Sequence, residues 1–182
     1  MGVPVYDSDA RAKWVMHHDP ELRHNLTHSF GPDVYDAAGN LNRAYLAQKV
    51  FHNAAELAKL NGLVHPQVRK DFFRWLEAQD DAPYILKEAA LMFESKAHTQ
   101  VDYVLTVSAP SPLRIARTLL RDPHRSVAEV EAIIDKQLPE QERINRSQYV
   151  LYNDDRQLVL PQVVELHQVF LELAAGKGSE VS

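Results

Sequence analysis

Two patterns of apolar positions divide the chain near residue 80. Before that point the apolar residues recur at helical spacing, and start and stop residues mark the ends of each run. "DPELRHNLTHSFG" places Asp19 as an N-cap, Pro20 at the first helical position and Gly31 as a stop. "DAAGN" at 36–40 is a turn. "NRAYLAQKVFHN" predicts a helix whose apolar face carries Leu41, Tyr45 and Val50. "NAAELAKLNG" predicts a second short helix, capped by Asn53 and stopped near Gly62. "HPQVRKDFFRWLEAQ" starts a further helix around Pro66, with Val68, Phe72, Trp75 and Leu76 on one side. Ahead of this block, residues 3–6 (VPVY) read as a short buried strand with Asp7-Ser8-Asp9 at its tip.

Beyond residue 80 short apolar runs alternate with helical segments. Strands are predicted over 84–90, over 103–107, where Pro110 ends the run, and over 149–153 within "QYVLYND". "SPLRIARTLLRD" is a helix with Ser111 as its N-cap and Pro112 behind it, and Ser126 with Glu129 forms a capping box. A long closing helix carries Leu158, Val163, Val164, Leu166 and Phe170, with an interruption at Pro161, and the tail "GKGSEVS" is expected to fray. Strands separated by helices imply an α/β fold with a parallel sheet covered on both faces.

Composition narrows the class without naming an activity. The 182 residues suit one domain, with 45% apolar and 25% charged residues. The formal net charge of −5 argues against a broad nucleic-acid surface. There is no cysteine, so disulfides and thiolate metal sites are excluded and a reducing compartment fits. No apolar run approaches the roughly 20 residues of a membrane helix, and no secretory signal pattern opens the chain. The expectation is a cytoplasmic protein with no membrane or nucleic-acid partner.

Three groups of residues could carry chemistry. Asp7 and Asp9 stand at a strand tip, where open α/β sheets place their ligands. A carboxylate there can orient a hydroxyl, take its proton, or hold Mg²⁺ through water; it can equally cap the following helix. Arg114, Arg117, Arg121 and Arg125 recur at spacings that align them on one helix face, and Arg143 and Arg146 follow. Such a concentration of guanidinium groups suits phosphate, although an arginine stripe paired with acids on a solvated face has the same spacing. His65, Pro66 and Arg69 open a helix, a place where anions bind, and a histidine there is also commonly structural. Neither a zinc-binding histidine pair nor a G-x-S-x-G nucleophile turn occurs. No G-x-x-x-x-G-K-[ST] phosphate loop occurs either.

Taken in order, these segments resemble the dephospho-CoA kinase family, from "GVPVYDSD" to about Leu173. "VYDSDARAK" matches the family's D-x-D followed by a basic residue, here Lys13. "SFGPDVYDAAGNLNRAYLAQKVF", "LAKLNGLVHPQVR" and "EAALMFES" follow with family-like spacing, Ala90 standing where a proline is common. "VDYVLTVSAPSPLRIARTLLRD" matches the strand and arginine-bearing helix, with Arg114 where the family often has Gln. Gln137, Arg143 and Asn153 complete the pattern around the last strand.

The resemblance implies a P-loop kinase-like three-layer parallel sheet with a helical acceptor subdomain over 10–80 and a helical lid over 111–147, within one domain spanning 1–182. It implies that intact members carry a strand, a phosphate loop and a first helix before the segment equivalent to "GVPV", and that this chain starts beyond all three. The expected sheet therefore lacks its central first strand, with 3–7 and 84–90 paired on one side and 103–107 and 149–153 on the other. The implied activity is phosphotransfer from ATP, with Mg²⁺, to the ribose 3′-hydroxyl of dephospho-CoA, the last step of coenzyme A synthesis, impaired or absent without the loop. The competing expectation is a non-catalytic remnant that binds a CoA-like ligand or a protein. By resemblance Asp7 is the catalytic base or orienter. Asp9, Lys13, His65 and Arg69 are substrate-side contacts. Arg114, Arg117, Arg121 and Arg143 are lid residues facing ATP, and Asn153 lies near its adenine.

Overall fold

Tyr6 draws the first strand inward. β1 (Val5–Asp7) alternates exposed, buried, exposed, and Tyr6 is its one interior side chain. β1 pairs in parallel with β2 (Leu86–Glu88), setting Val5 opposite Leu86, Tyr6 opposite Lys87 and Asp7 opposite Glu88. This corrects the expectation of a strand buried throughout and of a long partner over 84–90: both strands are three residues long, and Val5 is 55% exposed. A two-stranded ribbon packed on one side buries alternate residues only.

The computed structural model describes residues 1–51 and 53–177, which fall into two compact units, 1–89 and 90–182. In the first unit α1 (Ser8–His18) begins directly at the end of β1, with Asp7 as its N-cap. α2 (Pro20–Phe30) has the expected punctuation: the Asp19 side chain accepts the Leu22 N–H at 2.8 Å, Pro20 opens the helix, and Gly31 ends it at a φ of 98°, which favours glycine. The turn at 36–40 is closed by hydrogen bonds between Asp36, Gly39 and Asn40. α3 (Arg43–Val50) is capped by Asn42. α4 (Ala54–Glu77) is capped by Asn53 and runs for 24 residues through both Gly62 and Pro66.

That long helix corrects the two shorter ones expected. Pro66 lacks the N–H that would bond the Gly62 carbonyl, and its ring crowds the same carbonyl. The cost is offset by a stripe that never breaks: Leu60, Val64, Val68 and Phe72 follow one another every four residues, toward the core. The buried cluster of this unit comprises Val15, Leu22, Leu26, Phe30, Val34, Leu46 and Val64, with Leu41, Tyr45 and Val50 packed against it.

In the second unit β3 (Leu105–Ser108) pairs in parallel with β4 (Tyr149–Tyr152), Thr106 standing opposite Val150. β3 lies later than expected because pairing continues past Val107, where the Asn153 N–H donates to the Ser108 carbonyl at 2.8 Å. The β1–β2 and β3–β4 pairings are those expected, and among the described residues they form two separate two-stranded sheets. Four helices complete this unit: α5 (Ser111–Arg121), α6 (Val127–Ile134), α7 (Glu140–Arg146) and α8 (Val159–Lys177). Ser111 is the first helical residue and not the cap; Pro110 occupies the cap position without a side-chain bond. The capping box of Ser126 and Glu129 is present at α6. Pro161 does not interrupt α8, because it falls in the first turn, where no intrahelical partner for its nitrogen is needed. The tail expected to fray begins at Gly176, but Gly176 and Lys177 are helical, the last residues of α8; the rest of it, 178–182, lies outside the described residues.

Candidate functional site

The tip of the β1–β2 ribbon gathers carboxylates. Asp7 ends β1, and its Oδ1 accepts the Ala10 N–H at 2.8 Å. The residue is therefore a helix cap, as its position allowed, with Oδ1 committed to the Ala10 N–H and no bond to Oδ2 among the described residues. Asp9 lies in the first turn of α1, where the helix dipole favours an anion. Glu88 stands opposite Asp7 in the ladder. Burial, together with the charges of Asp7 and Asp9, raises the Glu88 carboxyl above its ordinary range. Glu88 was not legible from its own segment, since only the register places it beside Asp7.

The ribbon is anchored from behind by a buried ionic cluster. Asp71, on α4, is 4% exposed. It receives the Tyr6 hydroxyl at 2.7 Å and two bonds from Arg11, Nε at 2.7 Å and Nη2 at 2.5 Å. Burial and the bond to Asp71 raise the Tyr6 phenol far above its usual range. Burial works against the Asp71 carboxylate, but the bonds from Arg11 and Tyr6 prevail and hold it below its usual range. One carboxylate thus ties α1, β1 and α4 together, which fixes where Asp7 stands.

Lys13 is exposed on α1, one turn beyond Asp9. His65 and Arg69 are four residues apart on α4, hence on one face of it. Both residues are exposed, yet desolvation by the surrounding protein lowers the proton affinity of the His65 ring. The Arg69 guanidinium carbon lies 5.7 Å from the Phe73 ring centroid. Lys87, which the sequence reading did not single out, lies between this helix and β1, its Nζ 3.6 Å from the Phe72 centroid.

In the second unit the arginines separate into distinct settings. Arg117 donates to the Asn153 carbonyl at 2.9 Å and to Asp155 at 2.6 Å, tying α5 to the loop after β4. Arg121 is 76% exposed and pairs with its neighbour Asp122 at 3.0 Å; Arg125 joins the same carboxylate at 3.6 Å. Arg114 and Arg143, in contrast, come together. They line a cavity of about 350 Å³ with Gln137, Leu138 and Glu140. Their Nε atoms are buried without a hydrogen-bond partner among the described residues. Burial and the charge of Arg114 lower the proton affinity of Arg143. Glu140 accepts the Ser108 hydroxyl at 2.6 Å and lies 3.9 Å from Arg114. Two desolvated guanidinium groups with unused donors on one cavity make an anion receptor.

Among the described residues no group of three or more His, Asp or Glu side chains is arranged to hold a metal ion by itself. A single carboxylate at the ribbon tip, such as Glu88 opposite Asp7, is a hard oxygen donor of the kind Mg²⁺ takes when it arrives with a nucleotide. That ion takes one or two carboxylates and completes its shell with phosphate and water.

The sequence profile of the dephospho-CoA kinase family matches residues 1–158. A Bacteroides fragilis dephospho-CoA kinase is 34% identical over 166 residues, covering 91% of this chain and 80% of the relative. A Chlorobaculum tepidum dephospho-CoA kinase is 35% identical, covering 85% of this chain and 76% of the relative. A crystal structure from Thermus thermophilus superposes with a TM-score of 0.74 at 29% identity, covering all of this chain and 86% of its own. A dephospho-CoA kinase from Campylobacter jejuni shares the fold at a TM-score of 0.64 and 20% identity, with 97% and 87% of the two chains covered.

Proposed function

The chain belongs to the dephospho-CoA kinase family, and we propose that it acts on the acceptor of that reaction, dephospho-CoA, directing the ribose 3′-hydroxyl toward the γ-phosphorus of ATP. The observation that carries this reading is the state of Asp7. Its Oδ1 is pinned by the Ala10 N–H, so its second oxygen keeps one direction at the ribbon tip. A fixed carboxylate acceptor can align a hydroxyl and receive its proton as the oxygen–phosphorus bond forms.

Asp9, Lys13, His65 and Arg69 supply the acceptor side of this reading. Arg114 and Arg143 hold phosphate oxygens in their cavity, with Arg117 and Arg121 on the same helix as Arg114 contributing from α5. Asn153, whose backbone is gripped by β3 and by Arg117, flanks the adenine. Mg²⁺ bound with ATP would neutralise charge on the β- and γ-phosphates, and Glu88 is the carboxylate this chain would offer it. The reading carries a cytoplasmic location with it; among the described residues no helix is long and apolar enough to cross a membrane.

A second reading is a non-catalytic remnant that binds a CoA-like ligand or a protein without turning dephospho-CoA over. Calorimetric titration with dephospho-CoA, followed by an assay for CoA formation with Mg-ATP, decides between the two. Binding with CoA formation is the outcome expected of the kinase. Binding alone favours the non-catalytic reading, and absence of binding overturns the kinase and the CoA-like remnant alike.

A further inference from the structure

Glu140 is a carboxylate set among guanidinium groups, and the roles above give it no part. It lines the cavity with Arg114 and Arg143. Its Oε1 accepts the Ser108 hydroxyl at 2.6 Å, and its Oε2 lies 3.9 Å from Arg114 Nη2. Ser108, at the end of β3, is buried, so the carboxylate is held in place from the strand. Its charge also favours the protonated form of Arg143, against burial and against the charge of Arg114. One anchored carboxylate thus serves two guanidinium groups. The other acids nearby contribute less. Asp135 lines the same cavity but is exposed, and solvent screens its charge. Glu94 is committed to the segment before α7, where its Oε1 accepts the Leu138 N–H at 2.6 Å.

The cavity therefore sets two positive groups against one negative group. A poorly solvated site with a single surplus charge is best matched by a single opposite charge. The buried Nε atoms of Arg114 and Arg143, which have no hydrogen-bond partner among the described residues, are donors for it. An internal phosphate of a nucleotide carries one negative charge. A terminal phosphate carries close to two above its second pKa of about 6. We infer that Glu140 sets the charge this cavity accepts, so that it takes an internal phosphate of the nucleotide and disfavours a terminal one. The inference rests on the nucleotide side of the reading above and adds to it a specificity-determining residue. Repulsion from the carboxylate grows in proportion to the charge on the phosphate. Glutamine at position 140 keeps the shape and an acceptor for the Ser108 hydroxyl but removes that repulsion. A residue that only braced Arg114 would act the other way, because its loss would free the guanidinium and weaken the hold on every phosphate.

The test is isothermal titration of the 182-residue chain with ADP, AMP and adenosine at pH 8, with Mg²⁺ left out so that each ligand carries its own charge. ADP has an internal phosphate, AMP has only a terminal one and adenosine has none. Wild type, Glu140→Gln and Arg143→Met are compared, each checked for folding by thermal melting. The wild type should bind ADP more tightly than AMP, and AMP little better than adenosine. Glu140→Gln should gain about tenfold for AMP and about threefold for ADP, with adenosine unchanged, since the dianion escapes the larger repulsion. Arg143→Met should bring ADP down to the level of adenosine. AMP affinity that stays the same or falls in a folded Glu140→Gln protein, while Arg143→Met still loses ADP, overturns the inference and leaves the phosphate-binding cavity standing. ADP affinity that is unchanged in a folded Arg143→Met protein removes the cavity from the nucleotide site, and the inference with it; so does a wild type that binds none of the three ligands. If Glu140→Gln fails to fold, Ser108→Ala takes its place. There the carboxylate keeps its charge but loses the hydroxyl that disperses it, so ADP should bind about threefold more weakly. ADP affinity that is unchanged or higher in Ser108→Ala then overturns the inference.

Discussion

Asp71 couples stability to pH through a sign that can be worked out. Its folded carboxylate is held below its ordinary 3.8, so the stabilisation it gives is complete above that value and disappears as pH falls through the lower, folded value. Chemical denaturation of the wild type should therefore weaken below about pH 4, and Asp71→Asn should remove that step while lowering stability at pH 7. At neutral pH the mutant leaves Arg11, a third exposed, without its bidentate acceptor, a loss of about 1–2 kcal/mol for charge-assisted bonds partly screened by solvent. Asp7 separates structure from chemistry in the same way. Asparagine caps nearly as well as aspartate, whereas alanine forfeits about 1 kcal/mol. Asp7→Ala should therefore melt lower and Asp7→Asn should melt like the parent. In any form of the protein that makes CoA, Asp7→Asn should lose at least about a hundredfold in turnover, since an amide accepts no proton. Near-parental turnover would remove Asp7 from the mechanism.

At the scale of the element, α4 shows how a stripe outweighs punctuation. Gly62 reads as a stop and Pro66 as a new start when each is weighed alone, and together they led to two expected helices. The apolar positions on either side of them keep one phase, and that continuity was present in the sequence. Gly62 has a helical backbone, and a Cβ added there would meet nothing within 4 Å. Gly62→Ala should thus stabilise the protein by about 1 kcal/mol, read as a rise of a few degrees in melting temperature. A fall would show that the helix needs glycine beside the Pro66 ring. α6 offers the opposite case, a boundary legible from four residues. Both halves of its capping box form, the Ser126 hydroxyl accepting the Glu129 N–H at 3.2 Å and Glu129 accepting the Ser126 N–H at 2.7 Å. Ser126→Ala should lower stability by about 1 kcal/mol and Ser126→Asp by much less, in a denaturant titration.

At the scale of the molecule, burial is uneven. Among the described residues, the largest fully buried side chains, Tyr6, Phe72, Leu22, Leu26, Val15 and Val34, lie in the first unit. The second unit's interior is thinner, with Phe93, Val130 and Leu151 among its buried apolar residues and Leu120, Leu158 and Leu160 at 84%, 79% and 71% exposure. Amide exchange slows with the number of buried contacts that must open. Hydrogen–deuterium exchange should therefore be slowest in α2 and the second half of α4, and faster in α5, α6 and the first turn of α8. Equal protection in the two units would contradict this.

The sequence by itself determined the helices that start on Asp19, Asn53 and Ser126, the turn at 36–40, and four short strands, whose pairing came only from the family resemblance. Each follows from local chemistry: a side-chain oxygen three residues from an N–H, a glycine where φ is positive, an apolar run between two helices. It also singled out Asp7, Arg69, Arg114 and Arg143, because their types and spacings point to phosphate and hydroxyl chemistry. Only the tertiary structure decided what those residues meet. Register set Glu88 beside Asp7 and Lys87 beside Tyr6, and no local pattern encodes a partner on the far side of a ladder. Burial then separated the arginines, which look equivalent in sequence, leaving Arg121 in solvent and closing Arg114 and Arg143 around one cavity. Spacing tells which residues share a helix face, whereas charge, desolvation and proton affinity depend on what packs against that face.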